Sequence, residues 1–176
     1  MIIPINGIYP RIAGNAWMAP DATIIGDVEI GEKSSIWFHT LVRGDVHSIR
    51  IGRETNIQDG TIIHCTYKKA SVTIGNRVTV GHKVMLHGCT VEDSCLIGMG
   101  STIMDNAVIP HHCVVGAGSL VTEGATFEPY SLIIGSPAKF KRKLKEEEIK
   151  FLEQSADNYI LYTSWYACLL ITINKD

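Results

Sequence analysis

The chain has 176 residues, 45% of them hydrophobic, with 16 basic and 18 acidic residues and a formal net charge of −2. This length suits a single domain with a continuous core. The small net charge gives no reason to expect nucleic acid or an anionic membrane surface as a partner. Five cysteines without a CxxC pair, and an N-terminus without a signal peptide, predict reduced thiols and a cytoplasmic location.

Residues 1–20 show no regular period and are predicted to form an irregular lead-in that caps the first turn of the fold. From residue 21 to residue 136, an aliphatic residue returns at every sixth position and a small residue follows it four positions later. A helix repeats near 3.6 residues and a strand near 2, so neither explains this period. It is typical of a parallel β-helix, in which three hexapeptides close one triangular coil. The longest run comprises Val91, Ile97, Ile103, Ile109, Val115 and Val121.

Two insertions, at residues 46–48 and 66–73, interrupt the repeat, and insertions in solenoids often build the binding site. Pro137 ends the repeat, and residues 137–176 are predicted to form a C-terminal helix and an apolar tail. The helix is expected to begin at about Glu146, because acidic residues suit a first turn. The uncharged segment 160–173 is too short for a comfortable membrane span. It is expected to pack on an oligomer or on another protein, and membrane association is the lesser alternative. The stripe predicted to pack on the β-helix contains Ile149, Leu152, Ala156, Tyr159 and Tyr166.

Three histidines occupy positions that the repeat converts into geometry. His64 and His87 each follow an aliphatic position, and Leu86 starts the coil directly above Ile63. Their imidazoles should therefore stack on one outer face, about 4.8 Å apart, which is close enough to share a zinc ion. His82 lies near a corner of the neighbouring face and points away from this pair. A second copy of the chain could supply it, and three copies would close a ring with three equal sites.

A solvated surface position is the alternative interpretation for any outward-facing histidine on a β-helix. His39, His111 and His112 are interpreted in this way. Three stacked or interface-facing histidines in consecutive coils favour a metal site shared between subunits.

The segments Arg43-Gly44-Asp45, Asn56-Ile57-Gln58-Asp59, Gly81-His82 and His87-Gly88, together with His64, resemble the signature of gamma-class carbonic anhydrases in order and spacing. The resemblance extends from about residue 12 to Tyr159. It implies a left-handed β-helix with a C-terminal helix, assembled as a homotrimer with a metal at each interface. The metal would be held by His64 and His87 of one subunit and His82 of its neighbour. Zinc is the first expectation, and iron or cobalt would also suit three imidazoles and water.

The resemblance also implies an activity, the reversible hydration of carbon dioxide to bicarbonate by a metal-bound hydroxide. Gln58 would orient the hydroxide or the substrate. Tyr159 would lie near the metal, although packing alone is an equal alternative for it.

Four further residues are expected to support the site. Arg43 and Asp59 match family positions that form an ion pair across the subunit interface, and Asp45 would join this network. A purely structural role is the alternative for all three. Asn56 is expected to support the turn or the wall of the site.

The sequence departs from the family pattern where proton transfer is concerned. The best-known members carry glutamates at places that Val46 and Tyr67 occupy here, and the loop that contains Tyr67 is short and basic. Efficient turnover needs a group that accepts the proton from the site. His47 is the candidate replacement, since the ordinary pKa of histidine, near 6.5, suits that task.

Two other classes of function stay open. The same β-helix serves acyltransferases that use coenzyme A with a histidine as base, and some gamma-class relatives are linked to thioester chemistry. Three clustered histidines and a Gln58–Asp59 pair favour a metal site over these. A metal-binding trimeric scaffold without turnover would account for the missing glutamates and the apolar tail.

Overall fold

The computed structural model describes the backbone of residues 1–173 and the side chains of residues 1–166. Over that range the chain forms nineteen short strands and one helix. The elements are β1 (Ile2–Ile3), β2 (Arg11–Ile12), β3 (Trp17–Met18), β4 (Thr23–Ile30), β5 (Ser35–Ile36), β6 (Leu41–Ile51), β7 (Asn56–Ile57), β8 (Ile62–His64), β9 (Val72–Ile74), β10 (Thr79–Val80), β11 (Met85–His87), β12 (Thr90–Val91), β13 (Leu96–Ile97), β14 (Thr102–Ile103), β15 (Val108–Ile109), β16 (Val114–Val115), β17 (Leu120–Val121), β18 (Ser131–Gly135), β19 (Ala138–Lys143) and α1 (Glu146–Ile173).

The strands stack in parallel on three faces of a prism. The first face contains β1, β8, β11, β14, β17 and the first halves of β4 and β6, which bend at a corner. The second face contains β2, β9, β12, β15 and the remaining halves of β4 and β6. The third face runs from β3 through β5, β7, β10, β13 and β16 to β18. This is the predicted left-handed parallel β-helix, and the fold prediction is confirmed.

Aliphatic residues of the repeat stack in columns inside the prism. On the first face Ile63, Leu86, Ile103 and Val121 pair in register and are fully buried. The small residues at the corners do more than permit a turn, because their hydroxyls donate hydrogen bonds to a carbonyl of the next coil. Thr61 Oγ1, for example, donates to the Gly81 carbonyl at 3.0 Å. Such bonds satisfy corner carbonyls that the strand ladders leave unpaired.

Residues 1–20 differ from the irregular lead-in that was predicted. They form the first coil of the prism, with β1, β2 and β3 on its three faces. The six-residue period already runs through Ile12, Met18 and Ile24, but seven residues between β1 and β2, including Pro4, conceal its start.

At the other end, β18 extends the third face to Gly135, the chain reverses, and β19 pairs antiparallel with β18. This return strand, which the repeat did not predict, covers what would otherwise be a free sheet edge. The helix α1 begins at Glu146, as predicted, and packs against β5 and β10 on the third face. Leu152 and Ala156 of the predicted stripe are buried.

The described part of the chain contains no helix that is long and apolar enough to cross a membrane. Near its C-terminal end α1 packs by Tyr166 against Trp17, Trp37 and Phe38 of the first coils. The packing predicted for the tail falls mostly outside the described side chains, which end at residue 166.

Candidate metal centre

His64 and His87 lie side by side at the ends of β8 and β11, and the register of these strands confirms the predicted stacking. His64 Nδ1 and His87 Nε2 are 3.2 Å apart, and the ring centroids are 5.2 Å apart. Two imidazole nitrogens that bind one tetrahedral zinc ion are separated by about 3.3 Å, since each bond measures about 2.05 Å. The pair therefore presents two donors at the spacing that such an ion requires.

Carboxylates hold the far sides of both rings. His64 Nε2 lies 3.1 Å from Asp45 Oδ1, and His87 Nδ1 contacts Asp105. Metal-binding histidines commonly donate their second N–H to a carboxylate, which fixes the ring and its tautomer. Arg43 Nη1 in turn donates to Asp45 Oδ2 at 2.6 Å, and the Thr66 hydroxyl donates to Asp105. We refer to His64, His87, Asp45 and Asp105 as the paired-histidine cluster.

Sequence reasoning missed Asp105 and Thr66. Asp105 lies 18 residues, or one complete coil, after His87, two positions past the buried Ile103. That offset places it beside the imidazole, and a search of each histidine's neighbours one coil away would have found it. Thr66 belongs to the insertion between β8 and β9, so its position depends on the shape of that loop.

Burial and hydrogen bonding set the charges in this cluster. Burial, which the hydrogen bond to Asp45 offsets in part, lowers the pKa of His64, so its ring is neutral near pH 7. Burial disfavours the charged form of Asp45, but hydrogen bonds from Arg43 and His64 outweigh it and hold the pKa of that carboxyl below its ordinary value. Burial also disfavours the charged form of Asp105, but hydrogen bonds from Thr66 and His87 outweigh it and hold the pKa of that carboxyl below its ordinary value. A neutral imidazole beside an ionised carboxylate, as at His64 and Asp45, is the protonation state that binds a metal.

His82 lies apart from this pair, at the corner between β10 and β11. Its Nδ1 is 2.8 Å from Asp59 Oδ2, and both side chains are exposed by about four-tenths. Within one protomer Arg43 pairs with Asp45 and Asp59 pairs with His82, while the Arg43–Asp59 pair across subunits stays a prediction. Among the residues that the structure describes, no single protomer groups three histidine, cysteine or acidic side chains around one ion position.

A pocket of about 430 Å³ lies between the third face and α1, beside their contact, and Gln58, His82 and Tyr159 all line it. Leu96, Met99 and Val114 contribute to its walls, which makes it largely apolar. Burial, and after it the negative charge of Asp59, raises the pKa of Tyr159 to about 12, so its phenol stays protonated. We refer to His82, Asp59, Gln58 and Tyr159 as the His82 cluster.

Asn56 is buried beside Gln58 and accepts a hydrogen bond from Gln58 Nε2 at 3.0 Å. Its role in supporting the turn or the wall of the site stays a prediction. His47 lines a different pocket, of about 200 Å³, with Asp45 and the N-terminal segment. Its Nδ1 accepts a hydrogen bond from the Ser48 backbone N–H at 2.8 Å, and its role in proton transfer stays a prediction.

The remaining histidines divide into two groups. His39 is exposed, as expected, and contacts Asp21 at 2.7 Å. His111 and His112 are partly buried, with their Nδ1 atoms 3.0 Å apart and the ring of His112 stacked on Tyr130, and both line a pocket on the protein surface.

Comparison with known proteins gives relatives over most of the chain, although no protein-family model matches it. Gamma carbonic anhydrase 2, mitochondrial, of Arabidopsis thaliana is 46% identical over 156 residues, which are 86% of this chain and 56% of that protein. The chain thus spans little more than half the length of this plant relative. A carbonic anhydrase of Geobacillus kaustophilus (strain HTA426) is 46% identical over 169 residues, which are 96% of this chain and 92% of that protein.

Among solved structures, a hexapeptide transferase family protein from Anaplasma phagocytophilum superposes with a TM-score of 0.91 at 43% identity, covering 94% of this chain and 98% of that one. The fold is therefore shared along almost the whole length of both chains. With 46% identity over nearly the full length of the Geobacillus protein, and with the quoted histidine, arginine and aspartate segments in place, this chain belongs to the gamma-class carbonic anhydrase family.

Proposed function

We propose that this protein is a metal-dependent carbonic anhydrase that catalyses the reversible hydration of carbon dioxide at the interfaces of a homotrimer in the cytoplasm. One observation carries the proposal: two imidazole nitrogens face each other at 3.2 Å while carboxylates hold the outer nitrogen of each ring. This donor set fits a borderline divalent ion, for which zinc is the first candidate and iron or cobalt the alternatives.

The third ligand in this proposal is His82 of a neighbouring copy. His82 has the same design as the other two histidines, a ring nitrogen held by a carboxylate, but it lies at another corner of the prism. Joining the paired-histidine cluster of one copy to the His82 cluster of the next would supply three nitrogen donors. Repeating that contact around a threefold axis would give three equivalent sites and leave no cluster unmatched.

The ion, when bound, supplies a Lewis acid that lowers the pKa of a water molecule toward 7. The protein's own side chains position the reactants. Gln58 lies in the pocket wall with its carbonyl oxygen available as an acceptor, because its amide nitrogen is engaged by Asn56. The protonated phenol of Tyr159 is a hydrogen-bond donor for a product oxygen. The apolar wall suits carbon dioxide, which has no charge and no hydrogen-bond donor.

Proton release to solvent is the task proposed for His47. It shares a pocket with Asp45, which contacts His64, so it lies next to the paired-histidine cluster.

The decisive experiment measures metal content and carbon dioxide hydration on one sample purified without oxygen or chelator. We expect about one ion per chain, together with stopped-flow turnover that disappears in His82→Ala and persists in His39→Ala. Full metal content without turnover would contradict the enzymatic function and favour the scaffold. Absence of metal would overturn the proposal and make an acyltransferase acting on a coenzyme A ester the leading hypothesis.

A further inference from the structure

A chain of four buried polar side chains links the pocket to the C-terminal helix. Gln58 Nε2 donates to Asn56 Oδ1, Asn56 Nδ2 donates to Thr79 Oγ1, and Thr79 Oγ1 contacts Ser155 Oγ on α1. Each of the three distances is 3.0 Å, and the four residues are between 1% and 7% exposed. Such groups are nearly always hydrogen-bonded in a folded protein, so the direction of each bond constrains the next.

The direction of this chain depends on the acceptors of the Asn56 amide nitrogen, which are Thr79 Oγ1 at 3.0 Å and, at a longer distance, the Val78 carbonyl at 3.5 Å. An amide nitrogen can only donate, so Asn56 Nδ2 requires a lone pair on Thr79 Oγ1. Thr79 provides one when its own proton points to Ser155 Oγ, away from Asn56. The amide of Asn56 then presents its oxygen to Gln58 Nε2, and Gln58 is left with its oxygen free on the pocket side.

We propose that Ser155 and Thr79 are positioning residues that determine which end of the Gln58 amide faces the pocket. With both hydroxyls present, Gln58 offers an acceptor. Without Ser155, the proton of Thr79 can turn to Asn56 Oδ1. The shorter contact to Thr79 then favours reversal of both amides over the 3.5 Å bond from Asn56 to the Val78 carbonyl, and Gln58 offers its N–H group instead. The structural part of this inference is independent of the reaction, whereas its consequence for turnover rests on the proposed function.

The two orientations of Gln58 have opposite chemical effects. An acceptor oxygen takes the proton of a hydroxyl group and directs the lone pairs of that hydroxyl toward carbon dioxide. A donor N–H group attracts anions and cannot orient the hydroxyl in this way. Loss of the Ser155 hydroxyl should therefore slow hydration and tighten anion binding at the same time. A merely structural defect would weaken both.

The test compares Ser155→Ala and Thr79→Val with Thr79→Ser, which keeps the hydroxyl, and with Ser164→Ala, an exposed serine on the same helix. In Ser155→Ala we expect kcat/KM for carbon dioxide to fall about tenfold. Thr79→Val removes the 3.0 Å acceptor of Asn56 Nδ2 without supplying a donor, so both amide orientations are populated and kcat/KM should fall about twofold. The inhibition constant of azide should fall in both variants, with metal content unchanged and Tm lowered by only about 2–4 °C, the cost of one buried hydrogen bond. Thr79→Ser and Ser164→Ala should match the wild type. Ser155 lies on α1 and Thr79 on β10. A change in the same direction in both removal variants would therefore not result from a folding defect in only one of them.

Parallel losses of kcat/KM and azide affinity, or normal values in both removal variants, would overturn the proposal. A second readout works even if the protein hydrates no carbon dioxide. The side-chain amide resonances of Gln58, assigned by their loss in Gln58→Glu, should move in Ser155→Ala and stay in place in Thr79→Ser. Unchanged resonances in Ser155→Ala would refute the relay whatever the activity of the wild type.

Discussion

The paired-histidine cluster and the His82 cluster differ in how much of their geometry one chain completes. In the paired-histidine cluster two imidazoles and two carboxylates are already in contact on consecutive coils, and Arg43 and Thr66 bind the carboxylates from outside the cluster. In the His82 cluster one partly exposed imidazole contacts one partly exposed aspartate, beside an open pocket. The same repeat produces both, but strands bring neighbours together only along a column. A donor at another corner needs a second copy of the prism.

The largest effect is expected when either cluster loses its histidine ligand. His82→Ala and His64→Ala should each abolish carbon dioxide hydration, because each removes one of three ligands. Mixed, refolded trimers of the two variants should regain about a quarter of the wild-type activity, since one interface in four would pair an intact paired cluster with an intact His82. Stopped-flow assays on the mixture measure this.

A second mixture of variants is the control for this experiment. A mixture of His64→Ala with His87→Ala should stay inactive, because both variants damage the same cluster. Activity in that mixture, or none in the first, would contradict a site shared between subunits.

A smaller effect is expected from the carboxylate that only the structure revealed. Asp105→Asn should weaken metal affinity about 10- to 100-fold, because His87 loses the carboxylate that orients its ring. Competition with a chromogenic chelator measures the affinity. The matched control is Asp21→Asn, which removes a carboxylate from the exposed His39 and should change nothing. Equal affinities in both variants would show that Asp105 does not support the metal ligand.

The next prediction concerns Arg77 and the position of α1, the helix that carries Tyr159 of the His82 cluster. Its guanidinium contacts Glu54 at 2.6 Å, Glu153 at 2.7 Å and Asp157 at 2.9 Å, and so attaches α1 to the prism. Arg77→Gln should lower the free energy of unfolding by about 2 kcal/mol, a figure that allows for solvent screening. Urea denaturation measures it, and Lys33→Gln, which removes a longer contact to the same Glu54, should cost less.

The effect of Arg77 should also depend on pH. Its hydrogen bond holds the pKa of Glu54 below the ordinary value of 4.5. The resulting stabilisation is fully present above that value and is lost as the pH falls through the pKa of the folded state. The difference in stability between wild type and Arg77→Gln should therefore shrink on acidification. A constant difference from pH 7 to pH 3 would contradict this role of Glu54.

The smallest effect concerns His47, beside the paired-histidine cluster. His47→Ala should slow turnover about tenfold in weak buffer and hardly at all in strong buffer, because external buffer can replace an internal proton acceptor. Stopped-flow rates over a range of buffer concentrations measure this dependence. Equal slowing at every buffer concentration would exclude proton transfer as the role of His47.

The sequence predicted those features that depend on the six-residue period. The columns of buried aliphatic residues and the stacking of His64 on His87 both follow from counting positions. The start of α1 at Glu146 follows instead from the acidic residues of its first turn. The first coil was missed because seven residues between β1 and β2 conceal the period. The return strand β19 was missed because it pairs antiparallel and obeys no repeat.

By itself, the sequence determined the solenoid and the column in which two histidines meet, because a fixed period converts spacing along the chain into a position on a face. Only the tertiary structure decided which side chains surround those histidines. Asp105 reaches His87 from the next coil, Thr66 reaches Asp105 from an insertion, and Ser155 reaches Thr79 from the helix. Such contacts depend on how corners, loops and α1 pack in three dimensions, and no period in the sequence encodes that packing.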